Sequence, residues 1–273
     1  MKTKIQFLLA TAFAATMFVS CSKKDDMTVK AEVTASWSVT LNAKNEIPSV
    51  PNRSETGTAV IKLYSDNQLE FDISVPNLAS GDMIQAAHLH TGDAASNGGV
   101  VVDLKGTIQQ NKTMGKVAVR ASLADSLKNG MAQIYVNVHS MQVPSGIVRG
   151  QVNDNIVWAA DVSLSGSNEV PAVSTTTRGT SFLRIGTSGK LYSGFNFPTI
   201  ESGDMLMAAH IHVGAAGVNG PVLLGLVGSA GEFATTKAFE LSTAVRTSIL
   251  NDALYVNVHS MLYASGAVRG QIR

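Results

Sequence analysis

The sequence predicts an all-β protein with two tandem antiparallel domains, each a Greek-key β-sandwich or barrel of the superoxide-dismutase-like or immunoglobulin-like kind. Three observations lead to this fold class. One unit occurs twice along the chain, its segments alternate apolar and polar residues, and turns that contain Gly or Asn separate these segments. No regular alternation of strands with long helices occurs, so the units of a parallel sheet are not expected.

Three pairs of matching segments define the repeat. They recur at offsets of 122, 120 and 123 residues, so their order and spacing hold over a whole domain length. They predict a first domain at residues 33–153 and a second at residues 157–273, with Asp154 and Asn155 as a short joint. The pairs are GDMIQAAHLHTG (81–92) with GDMLMAAHIHVG (203–214), YVNVHSMQVPSGIVRGQ (135–151) with YVNVHSMLYASGAVRGQ (255–271), and NEIP (45–48) with NEVP (168–171).

Seven or eight short strands are expected in the first domain. Residues 59–64 and 68–75 alternate apolar and polar side chains on either side of a Ser-Asp-Asn turn, which is typical of a hairpin. One short helix is predicted at residues 123–128, with Ser122 as its N-cap and an Asn-Gly pair at its end. The further predicted strands are 83–90, 100–104, 116–121, 132–139 and 147–152.

The N-terminus has the layout of a bacterial lipoprotein signal. Two lysines precede a short apolar stretch, and the small residue Ser20 stands directly before Cys21, the single cysteine of the chain. One cysteine cannot form an internal disulfide, so a lipid-modified thiol accounts for it; a free thiol beside an uncleaved signal is the alternative. Residues 1–20 are therefore predicted to be the signal peptide, and residues 21–32 the lipidated cysteine with its tether.

The repeated segments resemble the CHRD domain, which is named for chordin and also occurs in secreted bacterial proteins. In the first domain the resemblance lies in AHLHTG (87–92), SNGGVVVDL (96–104) and the segment from Tyr135 to Gln151. In the second it lies in AHIHVGAAGVNGPVLLGL (209–226) and the segment from Tyr255 to Gln271. The resemblance implies a secreted β-domain used as a tandem module, and it implies no particular biochemical activity.

All six histidines of the chain fall in the repeated segments, three in each domain. His88 and His90 stand two residues apart on a predicted strand and so project from one face, while His139 leaves its strand opposite the core-facing valines. If the two strands are neighbours, three imidazoles converge, and this donor set suits copper or zinc with one position left open. The predicted metal ligands are His88, His90, His139, His210, His212 and His259.

A purely structural role for the histidines is the main alternative. Small β-domains use such residues to hydrogen-bond loops, and Arg149 would then clamp a carboxylate such as Glu46. Arg269 and Glu169 are the counterparts in the second domain. A second alternative is a copper- or zinc-dependent redox protein related to Cu/Zn superoxide dismutase, by analogy of fold and H-x-H pattern. No acidic zinc ligand is expected in either cluster, so this alternative implies a copper-only site.

Charge and motifs limit the function classes. The net charge is +1, with 21 basic and 20 acidic side chains and no basic stripe, so nucleic acid is not an expected partner. No nucleophile and base can be paired, so an enzyme is not expected. The sequence favours a non-catalytic binding or structural module with a metal site in each domain and an unidentified protein or glycan partner. Its membrane contact is the Cys21 lipid alone, which places it at the outer membrane of the cell envelope; the Lys-Asp-Asp of the tether favours surface exposure.

Overall fold

Each copy of the repeat forms its own curled antiparallel sheet in the computed structural model of the protein. The structure describes residues 30–130 and 132–273, so the predicted signal, Cys21 and most of the tether lie outside the described residues. Residues 31–273 form a single compact unit. Within the described part of the chain, no helix is long and apolar enough to cross a bilayer. The predicted all-β class with two tandem domains is confirmed.

The first domain has nine strands and one α-helix in its described residues, rather than seven or eight strands. They are β1 (Val33–Asn42), β2 (Thr56–Tyr64), β3 (Gln68–Ser74), β4 (Ile84–Thr91), β5 (Val100–Asp103), β6 (Thr107–Gln109), β7 (Lys112–Ala118), α1 (Ala121–Asn129), β8 (Ile134–Ser140) and β9 (Val148–Gln151). Their order across the sheet is β5-β4-β8-β9-β1-β2-β3-β7-β6. The chain crosses between the halves of the sheet after β3, after β5 and after β7, so β4 and β8 become neighbours, as in Greek-key folds.

The second domain repeats this order. Its elements are β10 (Ile156–Ser165), β11 (Arg178–Gly186), β12 (Lys190–Thr199), β13 (Leu206–Val213), β14 (Val222–Val227), β15 (Lys237–Glu240), α2 (Thr243–Asn251), β16 (Leu254–Ser260) and β17 (Val268–Gln271). The strands are arranged β14-β13-β16-β17-β10-β11-β12-β15, which matches the first sheet without its β6 edge. The topology of the fold is therefore duplicated along with the sequence.

Most of the local predictions are confirmed, but the predicted strand 116–121 extends too far, because β7 ends at Ala118 and α1 begins at Ala121, and the predicted helix N-cap is wrong. β2 and β3 pair as an antiparallel hairpin, and alternate residues along both strands are buried. Helix α1 begins after Arg120, so Ser122 lies within the helix and is not its N-cap. Gly130 ends the helix at a φ of 63°, a left-handed conformation that glycine adopts without steric cost.

Strand β8 is buried on both faces, which the alternation of its sequence does not show. Val136 and Val138 belong to the hydrophobic core, as expected. The opposite face carries Tyr135 and Asn137, which are also buried because two loops cover it. Asn97 of one loop donates a hydrogen bond to the Ile47 carbonyl of the other at 2.6 Å, so the two loops close over the strand together.

The two domains contact each other through a small apolar cluster and several polar contacts. Ala94 and Ala95 of the first domain are buried against Phe182 and Tyr192 of the second. Arg184 ties the two together by donating to the carbonyl of Glu46 at 2.8 Å across this interface.

Candidate metal centre

Strands β4 and β8 bring the three histidines of the first domain together. His88 and His90 lie on one face of β4, and the register of the pair places Ala86 opposite His139 and His90 opposite Tyr135. One ring nitrogen from each of the three histidines lies within 4.8 Å of the other two. The shortest of these distances is 3.0 Å, between Nδ1 of His88 and Nε2 of His139.

Backbone carbonyls fix the tautomers of two of the rings. Nδ1 of His90 lies 3.0 Å from the Gly98 carbonyl, and Nδ1 of His139 lies 2.8 Å from the Pro144 carbonyl. A carbonyl only accepts hydrogen bonds, so each Nδ1 carries the proton and each neutral ring keeps its lone pair on Nε2. Outer hydrogen bonds of this kind orient histidines that bind metal ions. Nε2 of His90 is buried and has no hydrogen-bond partner among the residues that the structure describes.

The second domain reproduces this geometry. Nδ1 of His210 lies 3.1 Å from Nε2 of His259, and the ligand nitrogens of this triad also lie within 4.8 Å of one another. Nδ1 of His212 and Nδ1 of His259 each lie 3.0 Å from a carbonyl, those of Gly220 and Ala264. Within the described part of the chain, Nε2 of His212 is buried without a partner, as is its counterpart in the first domain.

Burial favours the neutral form of four of these imidazoles. It lowers the pKa of His88, and the neighbouring His139 lowers it further. Burial is also the main cause of the lowered pKa values of His90, His210 and His259. A neutral imidazole is the form that coordinates a metal, because protonation removes the lone pair. The donor set of each triad therefore fits zinc or copper.

One acidic residue, Asp103, lies beside the first triad, contrary to expectation. It pairs with His88 in the register of β4 and β5, and its carboxylate lies 3.8 Å from Nε2 of that histidine. Because Nδ1 of His88 faces His139, Asp103 approaches the nitrogen that points away from the cluster. In the second domain Gly225 stands opposite His210. The two triads therefore differ at this one outer position.

In each triad, a tyrosine ring stacks on one of the three histidines. Tyr135 stacks on His90 with ring centroids 5.0 Å apart and planes 10° apart, and the guanidinium of Arg149 lies 3.5 Å from the centre of the tyrosine ring. In the second domain Tyr255 stacks on His212 in the same way, with centroids 4.9 Å apart. Arg269 lies 3.4 Å from the centre of that ring. Sequence reasoning overlooked both tyrosines, although their identity in the two copies was a signal that could have found them.

The two arginines do have a structural role, but they bind loops instead of a carboxylate. Arg149 is buried and donates to Asn97 Oδ1 at 2.9 Å, to the Ser96 carbonyl at 2.8 Å and to the Asp93 carbonyl. Among the described residues, none of the ion pairs joins Arg149 to Glu46, so the expected pairing is wrong. The loop that Arg149 holds carries Gly98, whose carbonyl orients His90. Arg269 makes the equivalent bonds to the carbonyls of Ala215 and Val218, both at 2.9 Å.

Glu46 and Glu169 are buried carboxyl groups near the triads. Asn137 donates to Glu46 at 3.3 Å and Asn257 donates to Glu169 at 2.9 Å, while the second oxygen of each carboxyl group has no partner. Burial raises the pKa of Glu46 to about 7, although Arg149 acts in the opposite direction. Burial likewise raises the pKa of Glu169 to about 7. Neither glutamate is part of the group of ligand atoms around the histidines.

The duplicated fold and site correspond to a known domain. Residues 37–152 and residues 160–272 each match the CHRD domain. The chain belongs to the CHRD-domain family. No curated protein and no solved structure matches it. The two CHRD domains in barrel-like folds support a binding or structural module, and each CHRD domain holds one histidine triad.

Proposed function

We propose that each CHRD domain binds one copper or zinc ion through its three histidines, within a lipid-anchored binding module of the cell envelope. The observation that carries the metal assignment is the orientation of the lone pairs. In both domains, carbonyl acceptors at Nδ1 of two rings leave the lone pair of each ring on Nε2, the nitrogen that would coordinate the ion. Each ion would have three imidazole ligands and an open fourth position, as in many zinc and copper sites.

The distances fit this proposal. Ligand atoms around a tetrahedral ion with bonds of about 2.0–2.1 Å lie about 3.3–3.4 Å apart. The closest nitrogens lie 3.0 Å apart in the first triad and 3.1 Å in the second, and the three ligand nitrogens of each triad lie within 4.8 Å of one another. The closest pair would have to separate by a few tenths of an ångström around an ion, and the widest pair would have to approach by up to about 1.5 Å.

A purely structural cluster accounts less well for the same atoms. One hydrogen bond between two histidines satisfies His88 and His139, but it leaves Nε2 of His90 buried and unpartnered. A buried acceptor without a partner costs about 1–3 kcal/mol, and the second domain repeats this cost at His212. A metal ion would remove it in both places.

The test is the metal content of the lipid-free chain from residue 22 onward, purified without chelator and without a metal-affinity step. We expect about two equivalents of copper or zinc per chain, on the basis of one ion per triad. His139→Ala and His259→Ala should each reduce the content to one equivalent, with unchanged circular dichroism. A chain that remains free of metal, even after titration with Zn²⁺ and Cu²⁺, would make the triads structural.

The lipid anchor is a separate part of the proposal and rests on the sequence around Cys21. Cys21→Ser should accumulate as a precursor that retains residues 1–20 and incorporates no labelled palmitate, whereas Ser22→Ala should be processed normally. Normal lipid labelling of Cys21→Ser would refute the anchor without affecting the metal sites.

A further inference from the structure

In both domains an exposed methionine directly precedes the strand of the first two histidines, and another directly follows the strand of the third histidine. Met83 and Met141 are 46% and 49% exposed, and their counterparts Met205 and Met261 are 46% and 57% exposed. Methionine is among the residue types most often buried, so four exposed side chains at matching positions of two domains require an explanation. The explanation must also account for their place next to the histidines.

The backbone holds each pair of methionines together. The Met141 amide donates to the Met83 carbonyl at 2.9 Å, and the Met261 amide donates to the Met205 carbonyl at 2.8 Å. Residues in such cross-strand positions have neighbouring side chains. Met141 also lines a cavity of about 350 Å³ together with His88 and His139. A thioether and two imidazoles of the triad therefore open into the same space.

We propose that each methionine pair, with the adjacent triad, is a capture site for Cu(I), and that copper is the ion that the triads receive. This inference rests on the proposed function and specifies its metal. Thioether sulfur is a soft ligand that favours Cu(I) and contributes little to Zn²⁺ binding. An exposed thioether beside the cavity provides a first ligand for an incoming ion, and the imidazoles behind it provide the rest.

The two domains differ in a way that sharpens the proposal. Gln85 lines the cavity of the first domain, and the equivalent residue in the second domain is Met207, which is 40% exposed. The second domain therefore has three thioethers where the first has two. We expect its capture site to bind Cu(I) more tightly.

The experiment is an anaerobic Cu(I) titration of the lipid-free chain from residue 22 onward, in competition with bathocuproine disulfonate. Leucine has nearly the volume of methionine, so Met→Leu removes the sulfur without disturbing the fold. Met83→Leu with Met141→Leu should weaken Cu(I) binding in the first domain at least tenfold. Met205→Leu, Met207→Leu and Met261→Leu together should do so in the second. Met114→Leu, an exposed methionine on β7, is the control and should change nothing.

Measuring Zn²⁺ binding of the same variants distinguishes a failure of the capture site from a failure of the metal-binding triads. If the methionine variants keep their Cu(I) affinity while the triads still bind Zn²⁺, the capture site is refuted and the proposed function stands. If the variants lose Zn²⁺ as readily as Cu(I), the methionines act on the triad itself, and the capture site is again refuted. If the wild-type chain binds neither Cu(I), Cu²⁺ nor Zn²⁺, both proposals fail.

Discussion

A carboxylate oxygen of Asp103 lies 3.8 Å from Nε2 of His88, whereas His210, the counterpart of His88, stands opposite Gly225. The first triad therefore has a hydrogen-bonded carbonyl outside two of its rings, those of Gly98 and Pro144, and the Asp103 carboxylate near the third ring. The second triad has two such acceptors. Outer acceptors fix the ring and raise the basicity of the coordinating nitrogen, so the two sites should differ in affinity.

Removing the carboxylate at Asp103 and introducing one at Gly225 should reverse the difference in metal affinity between the two sites. Asp103→Asn should weaken metal binding in the first domain about tenfold or more, which is the usual effect of removing an outer partner. Gly225→Asp should strengthen binding in the second domain, because a Cβ at this position has only His210 within 4 Å, at 3.8 Å. The affinities are measured by chelator competition in backgrounds that retain one triad, His259→Ala for the first site and His139→Ala for the second.

Lys105→Ala is the control for charge, because Lys105 lies 3.7 Å from Asp103 and is not one of the candidate metal ligands. Equal affinities of the two wild-type sites, unchanged by Asp103→Asn, would show that the carboxylate has no part in binding.

Arg149→Lys should destabilise the first domain and loosen its triad. The arginine side chain is 99% buried and binds Asn97 and the carbonyls of Asp93 and Ser96. A lysine ammonium cannot span these acceptors, and its buried charge would be poorly compensated, which costs about 3 kcal/mol or more. Urea unfolding measures the loss, and Arg120→Lys, at an exposed position before α1, is the control.

The same variant should weaken metal binding in the first domain only, because the clamped loop presents the Gly98 carbonyl to His90. Unchanged stability of Arg149→Lys would mean that the loop does not depend on the guanidinium.

Much of the fold could be predicted because the repeat and the alternating strands are local patterns. The triads form only if β4 pairs with β8. This pairing had to be assumed and could not be predicted from the sequence. Sequence reasoning missed Asp103 because only one copy has an acidic residue there, and it became visible only through the register of β4 and β5. The covered face of β8 was also missed, because polar residues such as Asn137 look solvent-exposed until the loops that bury them are known.

The domain interface could not be predicted from either repeat alone, and it offers a further test. Asp161 pairs with the fully buried Arg184 at 2.7 Å and accepts a hydrogen bond from the Ser49 amide of the first domain at 2.7 Å. Asp161→Asn leaves the arginine charge uncompensated, so it should destabilise the protein by about 3–5 kcal/mol in thermal or urea unfolding. Asp72→Asn, at an exposed position on β3, should have little effect. Equal stability of the two variants would argue that the interface contributes nothing.

The buried carboxyl group of Glu46 should give the first domain a distinctive dependence on pH. Its pKa is raised to about 7 from an ordinary value of 4.5, chiefly by burial. Because the folded pKa exceeds the unfolded one, the contribution to stability is fully present below about pH 4.5 and is lost as the pH rises through about 7. The difference between the two pKa values corresponds to about 3 kcal/mol.

Glu46→Gln keeps the shape of the group and removes its ionisation. The variant should match the wild type near pH 5 and exceed it by up to about 3 kcal/mol near pH 9, in the free energy of unfolding by urea. Four histidines (His88, His90, His210 and His259) have lowered pKa values, which change stability with pH in the opposite direction, so the two proteins are compared at each pH. Glu169→Gln should behave alike in the second domain, and Glu240→Gln, at an exposed side chain, should not. A Glu46→Gln variant that loses stability relative to wild type as the pH rises would show that the ionised carboxylate, and not the neutral acid, is the form that stabilises the fold.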